Sequence, residues 1–186
     1  MNKGDEKNNK SKGFVLWFTG FSAAGKSSIA DAVFDKLSHG DNRIERLDGD
    51  VVRKNLTHDL GFSKEDRNEN VKSVGFVANL LSKNGVVVVA AFIAPYKKQR
   101  DDLKKNVHNF IEIFVDAPLD VCIGRDPKGM YKKAQEGEIK LFTGISDKYE
   151  EPDNPDIHLR TDKQSIEECR DQVVEYLRDN NYLKII

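Results

Sequence analysis

Gly20-Phe21-Ser22-Ala23-Ala24-Gly25-Lys26-Ser27 follows the apolar run Phe14-Val15-Leu16-Trp17-Phe18-Thr19 and precedes an amphipathic stretch over residues 27–37. The order is strand, glycine-bounded loop, helix. The spacing of the glycines, lysine and serine is that of a phosphate-binding P-loop. Phosphates need many donors in a small space, and backbone N–H groups at a helix start supply them. Gly20 and Gly25 lack a Cβ and let the chain wrap closely. Lys26 is expected to reach the β- and γ-phosphates of a nucleotide, and the Ser27 hydroxyl to ligate Mg²⁺. An ordinary glycine-rich turn would not account for Lys-Ser at the helix start.

Working outward, the chain alternates. Residues 44–47 read as a short strand, followed by Asp48-Gly49-Asp50. A long helix is expected over residues 64–83, with Val71, Val74, Val77 and Leu81 near 3.6-residue spacing, Ser63 as its cap and Asn84-Gly85 at its end. Residues 86–93 are apolar throughout, as in a strand buried on both faces. A charged helix, a strand over 110–115, a helix beginning at 118–122, a short strand at 157–159 and a helix over 165–179 complete the series. Residues 125–155, rich in glycine, proline and charge, are long for a connection and read as a functional lid with some helix. The pattern predicts a three-layer α/β P-loop NTPase domain over residues 14–186, with a parallel sheet and ligands at the carboxyl ends of its strands.

Composition bounds the partners. Thirty basic and 31 acidic residues give a net charge of −1 in 186 residues, so nothing argues for nucleic acid or an anionic membrane, and any anion site must be local. Cys122 and Cys169 have neither metal-ligand spacing nor a disulfide framework, which fits a reducing cytoplasm. His39, His58, His108 and His158 are too scattered for a metal site. Residues 1–13 are polar and lysine-rich without an apolar core, the pattern of a disordered tail and not of a signal peptide. No apolar stretch approaches the ~20 residues of a membrane span.

A P-loop alone does not separate a kinase from a switch or a motor. The guanine-nucleotide patterns occur formally at Asp126-Pro-Lys-Gly129 and Asn2-Lys3-Gly4-Asp5, but the second precedes the P-loop, so the order is wrong. Asp116, ending the 110–115 strand, fits a motor-type acidic position loosely and a cap for the next helix at least as well. More telling is the segment after the second strand. Asp48 and Asp50 flank one glycine, and Arg53 and Arg67 stand three and 17 residues after Asp50. Singly, these read as a capped turn and solvated helix charges. Beside a P-loop they describe a second anion site facing the phosphates.

At this point the chain resembles the adenylylsulfate kinase (APS kinase) family over roughly residues 14–162. The resemblance rests on the P-loop, Leu47-Asp-Gly-Asp-Val-Val-Arg53, Leu60-Gly-Phe-Ser63 with Asp66-Arg67 and Asn70, Phe92-Ile-Ala-Pro-Tyr96, Arg125-Asp-Pro-Lys-Gly-Met-Tyr131, and Phe142-Thr-Gly-Ile145 with Tyr149-Glu150. It implies transfer of the ATP γ-phosphoryl to the ribose 3′-hydroxyl of adenylylsulfate, in a homodimer. It implies that residues 20–28 (Gly20, Phe21, Ser22, Ala23, Ala24, Gly25, Lys26, Ser27 and Ser28) cradle ATP, with Arg125 on its adenine. Asp48 would orient or deprotonate the hydroxyl and touch Mg²⁺, directly or through water, and Asp50 would shape the same turn. Arg53, Arg67 and Asn70 would bind the phosphosulfate. Phe62 and Phe142 would hold the acceptor adenine, Lys128 would meet the acceptor, and the backbone at Ile93 and Ala94 would line its site.

Departures from the family pattern are informative. Many relatives have serine at Ala94, described in some as a phosphorylated intermediate; alanine carries no phosphate, so direct in-line transfer is the consistent mechanism. Ala23 stands where glycine is common and is expected to keep a negative φ. Lys72-Ser73 and Lys97-Lys98 also differ, near the acceptor side. Two alternatives stay open on the sequence: a kinase of another nucleotide bearing a β-anion, and a nucleotide-sensing subunit without turnover.

Overall fold

A computed structural model describes residues 12–40 and 43–183. The expected disordered tail therefore falls, all but its last two residues, outside the described residues. Five strands run β1 (Val15–Thr19), β2 (Arg43–Asp48), β3 (Val86–Ala91), β4 (Phe110–Asp116) and β5 (Ile157–Arg160). They form one parallel sheet in the order β2-β3-β1-β4-β5. The helices are α1 (Lys26–Ser38), α2 (Gly49–Asn55), α3 (Lys64–Lys83), α4 (Lys97–Asn106), α5 (Leu119–Arg125), α6 (Met130–Gln135) and α7 (Ile166–Asp179).

The sheet is apolar on both faces because helices cover both. Successive strand residues point to opposite sides. Leu16 and Phe18 of β1, with Val87 and Val89 of β3, pack against Ile29 and Val33 of α1 and Val173 and Leu177 of α7. Val15, Trp17, Val88 and Ala90 face the other way, onto Val71, Val74 and Ala78 of α3 and Leu103 of α4. β2 lies at an edge, and its charged residues Arg43 and Glu45 keep that edge partly in solvent.

α3 has the expected bounds. Ser63 and Asp66 form a reciprocal capping box, with Asp66 N–H donating to Ser63 Oγ over 3.1 Å. Its buried stripe is narrower than the periodicity predicts: Val71, Val74 and Ala78 are buried, Val77 and Leu81 only half-buried. Two expectations need correction. Asp48-Gly49-Asp50 is not merely a turn at a strand end, because it opens α2, which Asp48 caps. Asp116 caps nothing; Pro118 precedes α5, and the Asp116 carboxylate pairs with His158 Nε2 at 2.9 Å and Arg160 Nε at 3.3 Å.

A buried ionic group fastens α4 to the sheet. Arg100 Nε lies 2.8 Å from Glu112 Oε1, both almost fully enclosed, and Lys104 Nζ reaches Glu112 Oε2 at 2.9 Å. Arg100 also donates to the carbonyls of Ala94 and Glu150. Removing one partner of such a pair strands a charge in the interior. Glu112→Leu is therefore expected to lower stability by about 3–5 kcal/mol in urea denaturation. A loss below about 1 kcal/mol would show that Arg100 is satisfied without it.

Candidate active site

Four chain segments leave the carboxyl edge of the sheet and enclose one cavity of about 880 Å³. They are the loop after β1, the start of α2 after β2, the loop after β3 and the turn after β5. Segment 125–155 lies across them, contributing Arg125, Lys128, Phe142 and Thr143. Five cations (Lys26, Arg53, Arg67, Arg125, Lys128) and three carboxylates (Asp48, Asp50, Asp126) line the cavity, so its excess is positive in a chain of net charge −1. The positive excess is local, within a chain whose overall charge is balanced.

The loop after β1 depends on glycine at one point above all. Gly20 has φ 144°, and a Cβ there would stand 2.2 Å from the Val115 carbonyl oxygen. Gly25 takes φ 101° as the residue before α1. Ala23 departs from expectation: its φ is 56°, in the left-handed region, not negative. For an alanine this conformation costs about 1–2 kcal/mol, so the surrounding loop must impose it. Lys26 Nζ folds back to donate to the Gly20 carbonyl at 3.0 Å and the Phe21 carbonyl at 2.6 Å. Burial lowers its pKa to about 8. Ser22, Ala23, Gly25, Lys26, Ser27 and Ser28 line the cavity. Three predicted members of the cradle stand behind its wall instead. Gly20 is pressed on Val115, Ala24 is in the core, and the Phe21 ring packs 5.0 Å from that of Tyr149.

On the opposite side, Asp48 is half committed. Its Oδ1 accepts from the N–H groups of Asp50 (2.9 Å) and Val51 (3.5 Å), as an N-cap does. Its Oδ2 lies 3.6 Å from Arg46 Nη2, a buried nitrogen with no hydrogen-bond partner. Asp50 and Lys128 form an exposed ion pair joining α2 to the 125–155 segment. Arg53 donates to the carbonyls of Leu60 and Gly61 and stacks 4.2 Å from the Phe62 ring centroid. Arg67 donates from Nε to the Phe62 carbonyl (3.0 Å), from Nη1 to Thr143 Oγ1 (2.8 Å) and from Nη2 to the Leu141 carbonyl. Asn70 Oδ1 accepts from Thr57 Oγ1 at 2.7 Å, leaving its NH₂ group as donor. Phe62 is about half exposed; Phe142 is buried, edge-on to Tyr131 at 5.0 Å.

Ile93 and Ala94 line the cavity while their carbonyls are engaged behind it, by Thr19 Oγ1 (2.5 Å) and Arg100 Nη1 (2.7 Å). Arg125 donates to Thr161 Oγ1 (3.2 Å) and the Thr161 carbonyl (2.6 Å), and Thr161 Oγ1 donates to the Ala24 carbonyl (2.8 Å). Sequence reasoning missed the wall beyond Arg125, built from Thr161, Gln164, Ser165, Ile166 and Cys169. Its one available signal was position, immediately after the last strand.

A parallel sheet whose carboxyl edge sets a P-loop and a further group of basic side chains around one cavity has the architecture of a P-loop kinase of small molecules. Residues 12–160 match the family model for adenylylsulphate kinase. The chain is 59% identical over 162 residues to the probable adenylyl-sulfate kinase of Pseudomonas aeruginosa, covering 87% of this chain and 76% of that protein. With the adenylyl-sulfate kinase of Halothermothrix orenii the identity is 50% over 174 residues, 94% of each chain. The structure of the Mycobacterium tuberculosis APS kinase in complex with AMPPNP and APS superposes with a TM-score of 0.85 at 42% identity, over 90% of this chain and 98% of that one. The chain belongs to the adenylylsulfate kinase family of ATP-dependent kinases.

The lowered Lys26 pKa has a definite sign. Below about pH 8 the folded chain keeps the ammonium that a triphosphate needs; above it the charge is lost. ATP affinity measured by titration calorimetry is expected to weaken between pH 7 and pH 9. The ligand-free fold gains stability over the range from about 8 toward 10.5, because the unfolded chain then holds a proton the folded chain has released. An affinity that is flat or rising across this range would contradict the assignment.

Proposed function

We propose that the chain transfers the γ-phosphoryl group of ATP to the 3′-hydroxyl of adenylylsulfate, giving 3′-phosphoadenylylsulfate and ADP. The observation that carries this reading is the single cavity shared by the phosphate cradle at Ser22–Ser28 and the groups Asp48, Arg53, Phe62, Arg67, Asn70 and Phe142. Phosphoryl transfer asks a protein mainly for position and charge neutralisation. Lys26 neutralises the β- and γ-phosphates by releasing the loop carbonyls it now holds. Ser27, exposed at the start of α1, and Asp48, partly exposed across the cavity, suit Mg²⁺. Among the described residues no group of three or more His, Cys, Asp or Glu side chains is placed to hold a metal ion by itself. Mg²⁺ in a nucleotide site commonly takes most of its ligands from phosphate and water. When bound, Mg²⁺ would neutralise charge on the transferred group.

Asp48 orients the acceptor hydroxyl with Oδ2 and takes its proton there, Oδ1 being held by the α2 cap. Arg67 has five N–H donors and spends three on the protein, leaving two for the phosphosulfate. Arg53 spends only its Nη2 hydrogens. Asn70 adds its amide NH₂. The acceptor adenine lies between Phe62 and Phe142, Lys128 closes on the acceptor, and Arg125 covers the ATP adenine. The 125–155 segment acts as the lid of a single domain. With Ala94 in place of a hydroxyl-bearing residue, transfer is direct. The setting is the cytoplasm, where the two buried free thiols stay reduced, and the assembly is a homodimer on family resemblance. Among the described residues no helix is long and apolar enough to cross a membrane.

ADP release from Mg-ATP with a panel of acceptor nucleotides tests the reading. Turnover is expected with adenylylsulfate, and turnover with another acceptor alone, or none, would overturn it. Lys26→Ala is expected to lower kcat about a thousandfold. Phe62→Ala is expected to raise the acceptor KM about tenfold with little change for ATP, as loss of one stacking face implies. An equal loss for both substrates would remove Phe62 from the acceptor site.

A further inference from the structure

Asp147 does not line the cavity, yet it ties together the parts that form the acceptor side. Its Oδ2 accepts from the Tyr96 hydroxyl at 2.6 Å and lies 3.8 Å from Arg67 Nε. Arg67 comes from α3, Tyr96 from the loop after β3, and Asp147 from the 125–155 segment. The Arg67 and Asp147 side chains are 11% and 18% exposed, so water screens their attraction weakly. Asp147 also belongs to a closed turn. The Phe142 carbonyl accepts from the N–H groups of Ile145, Ser146 and Asp147, and Gly144 N–H donates to the Asp147 carbonyl at 2.7 Å. That turn delivers Phe142 and Thr143 to the cavity, and Thr143 Oγ1 is itself an acceptor of Arg67.

The hydrogen bonds and ion pair of the Arg67 fork therefore go either to Phe62, just before α3, or to Leu141, Thr143 and Asp147 in and next to this turn. The Tyr96 hydroxyl fixes the carboxylate on the far side. Its pKa is pushed up to about 12, first by burial and then by the bond to Asp147, so it stays a donor at any physiological pH.

We propose that Asp147, held by Tyr96, is a positioning residue for acceptor binding: it aims the Arg67 guanidinium at the acceptor's anionic group and fastens the turn carrying Phe142 over the acceptor base. This rests on the acceptor side assigned above. The effect is expected to fall on the acceptor more than on ATP, because among the described residues neither the P-loop nor Arg125 hydrogen-bonds or ion-pairs with Asp147 or Tyr96. The turn meets the P-loop through Gly144 against the Phe21 ring and through Phe142 on Tyr131. A purely structural role would lower stability and weaken both substrates together.

The test is steady-state kinetics on the full chain with Asp147→Asn, Tyr96→Phe and the double variant, beside thermal melting. Asp147→Asn is expected to raise the acceptor KM about tenfold, the scale of a lost charge-assisted contact, with kcat and the ATP KM within about twofold. Tyr96→Phe is expected to shift the acceptor KM in the same direction by less. The double variant should be no worse than Asp147→Asn alone, because Tyr96 acts through Asp147. Parallel rises in both KM values, an unchanged acceptor KM, or additive effects in the double variant would overturn the proposal. If Asp147→Asn does not fold, Tyr96→Phe carries the same comparison, and an unchanged acceptor KM there overturns it. The acceptor KM is taken with whichever nucleotide the wild-type chain phosphorylates. Lack of turnover with adenylylsulfate would therefore count against the substrate reading, while the selective KM effect still decides this one.

Discussion

The lateral pairing of β1 with β3 is the constraint on which the site depends. Val15 to Phe18 lie beside Val88 to Ala91 in register, so the two strands end together. The loop after one is the glycine-bounded P-loop; the loop after the other brings Ile93 and Ala94 to the same cavity. Thr19 Oγ1 closes the join by donating to the Ile93 carbonyl at 2.5 Å, and it also meets the Tyr149 hydroxyl at 2.9 Å. Both strands are buried on both faces, so neither can slip without exposing an apolar row to water. The relative positions of these two loops are thus set by a core that carries no chemistry.

Around that join, the protein's own carbonyls occupy the cations. Lys26 holds two of them, Arg53 two, and Arg67 two together with a threonine hydroxyl. For Arg53 and Arg67 each bond satisfies a donor and fixes the direction of the fork; Lys26 keeps its ammonium paired on carbonyls that a phosphate would have to displace. The backbone is strained at the same places. Ala23, Ala94 and Leu141 take φ of 56°, 42° and 56°, in the P-loop, the loop after β3 and the turn before Phe142. Such conformations cost about 1–2 kcal/mol for residues with a Cβ and persist only where the surrounding structure enforces them.

Where period and capping chemistry speak through local residues, the fold was legible in the sequence. The P-loop strand and helix, the Ser63-capped α3 and the doubly buried β3 all follow from patterns a few residues long. α2 did not, because a seven-residue helix with no buried residue has no apolar stripe to announce it. The Ala23 backbone was misjudged for a related reason: the loop's enclosure, not alanine's own preference, selects its φ. In the site, charged residues near the strand ends were found, but Thr161 to Cys169 and Asp147 were not. Their relevance arises from sheet order and from a contact between residues 80 positions apart, neither of which a single sequence displays.

The central claim is that a triphosphate and a sulfonucleotide meet in one cavity with their reacting atoms in line. A crystal structure of this chain with a non-hydrolysable ATP analogue and adenylylsulfate bound together measures this directly. The account predicts the acceptor 3′-oxygen about 3–3.5 Å from the γ-phosphorus, opposite the bridging oxygen, with Asp48 Oδ2 within hydrogen-bond reach of that hydroxyl. An acceptor seated away from the Ser22–Ser28 loop, or a 3′-hydroxyl out of reach of Asp48, would contradict it.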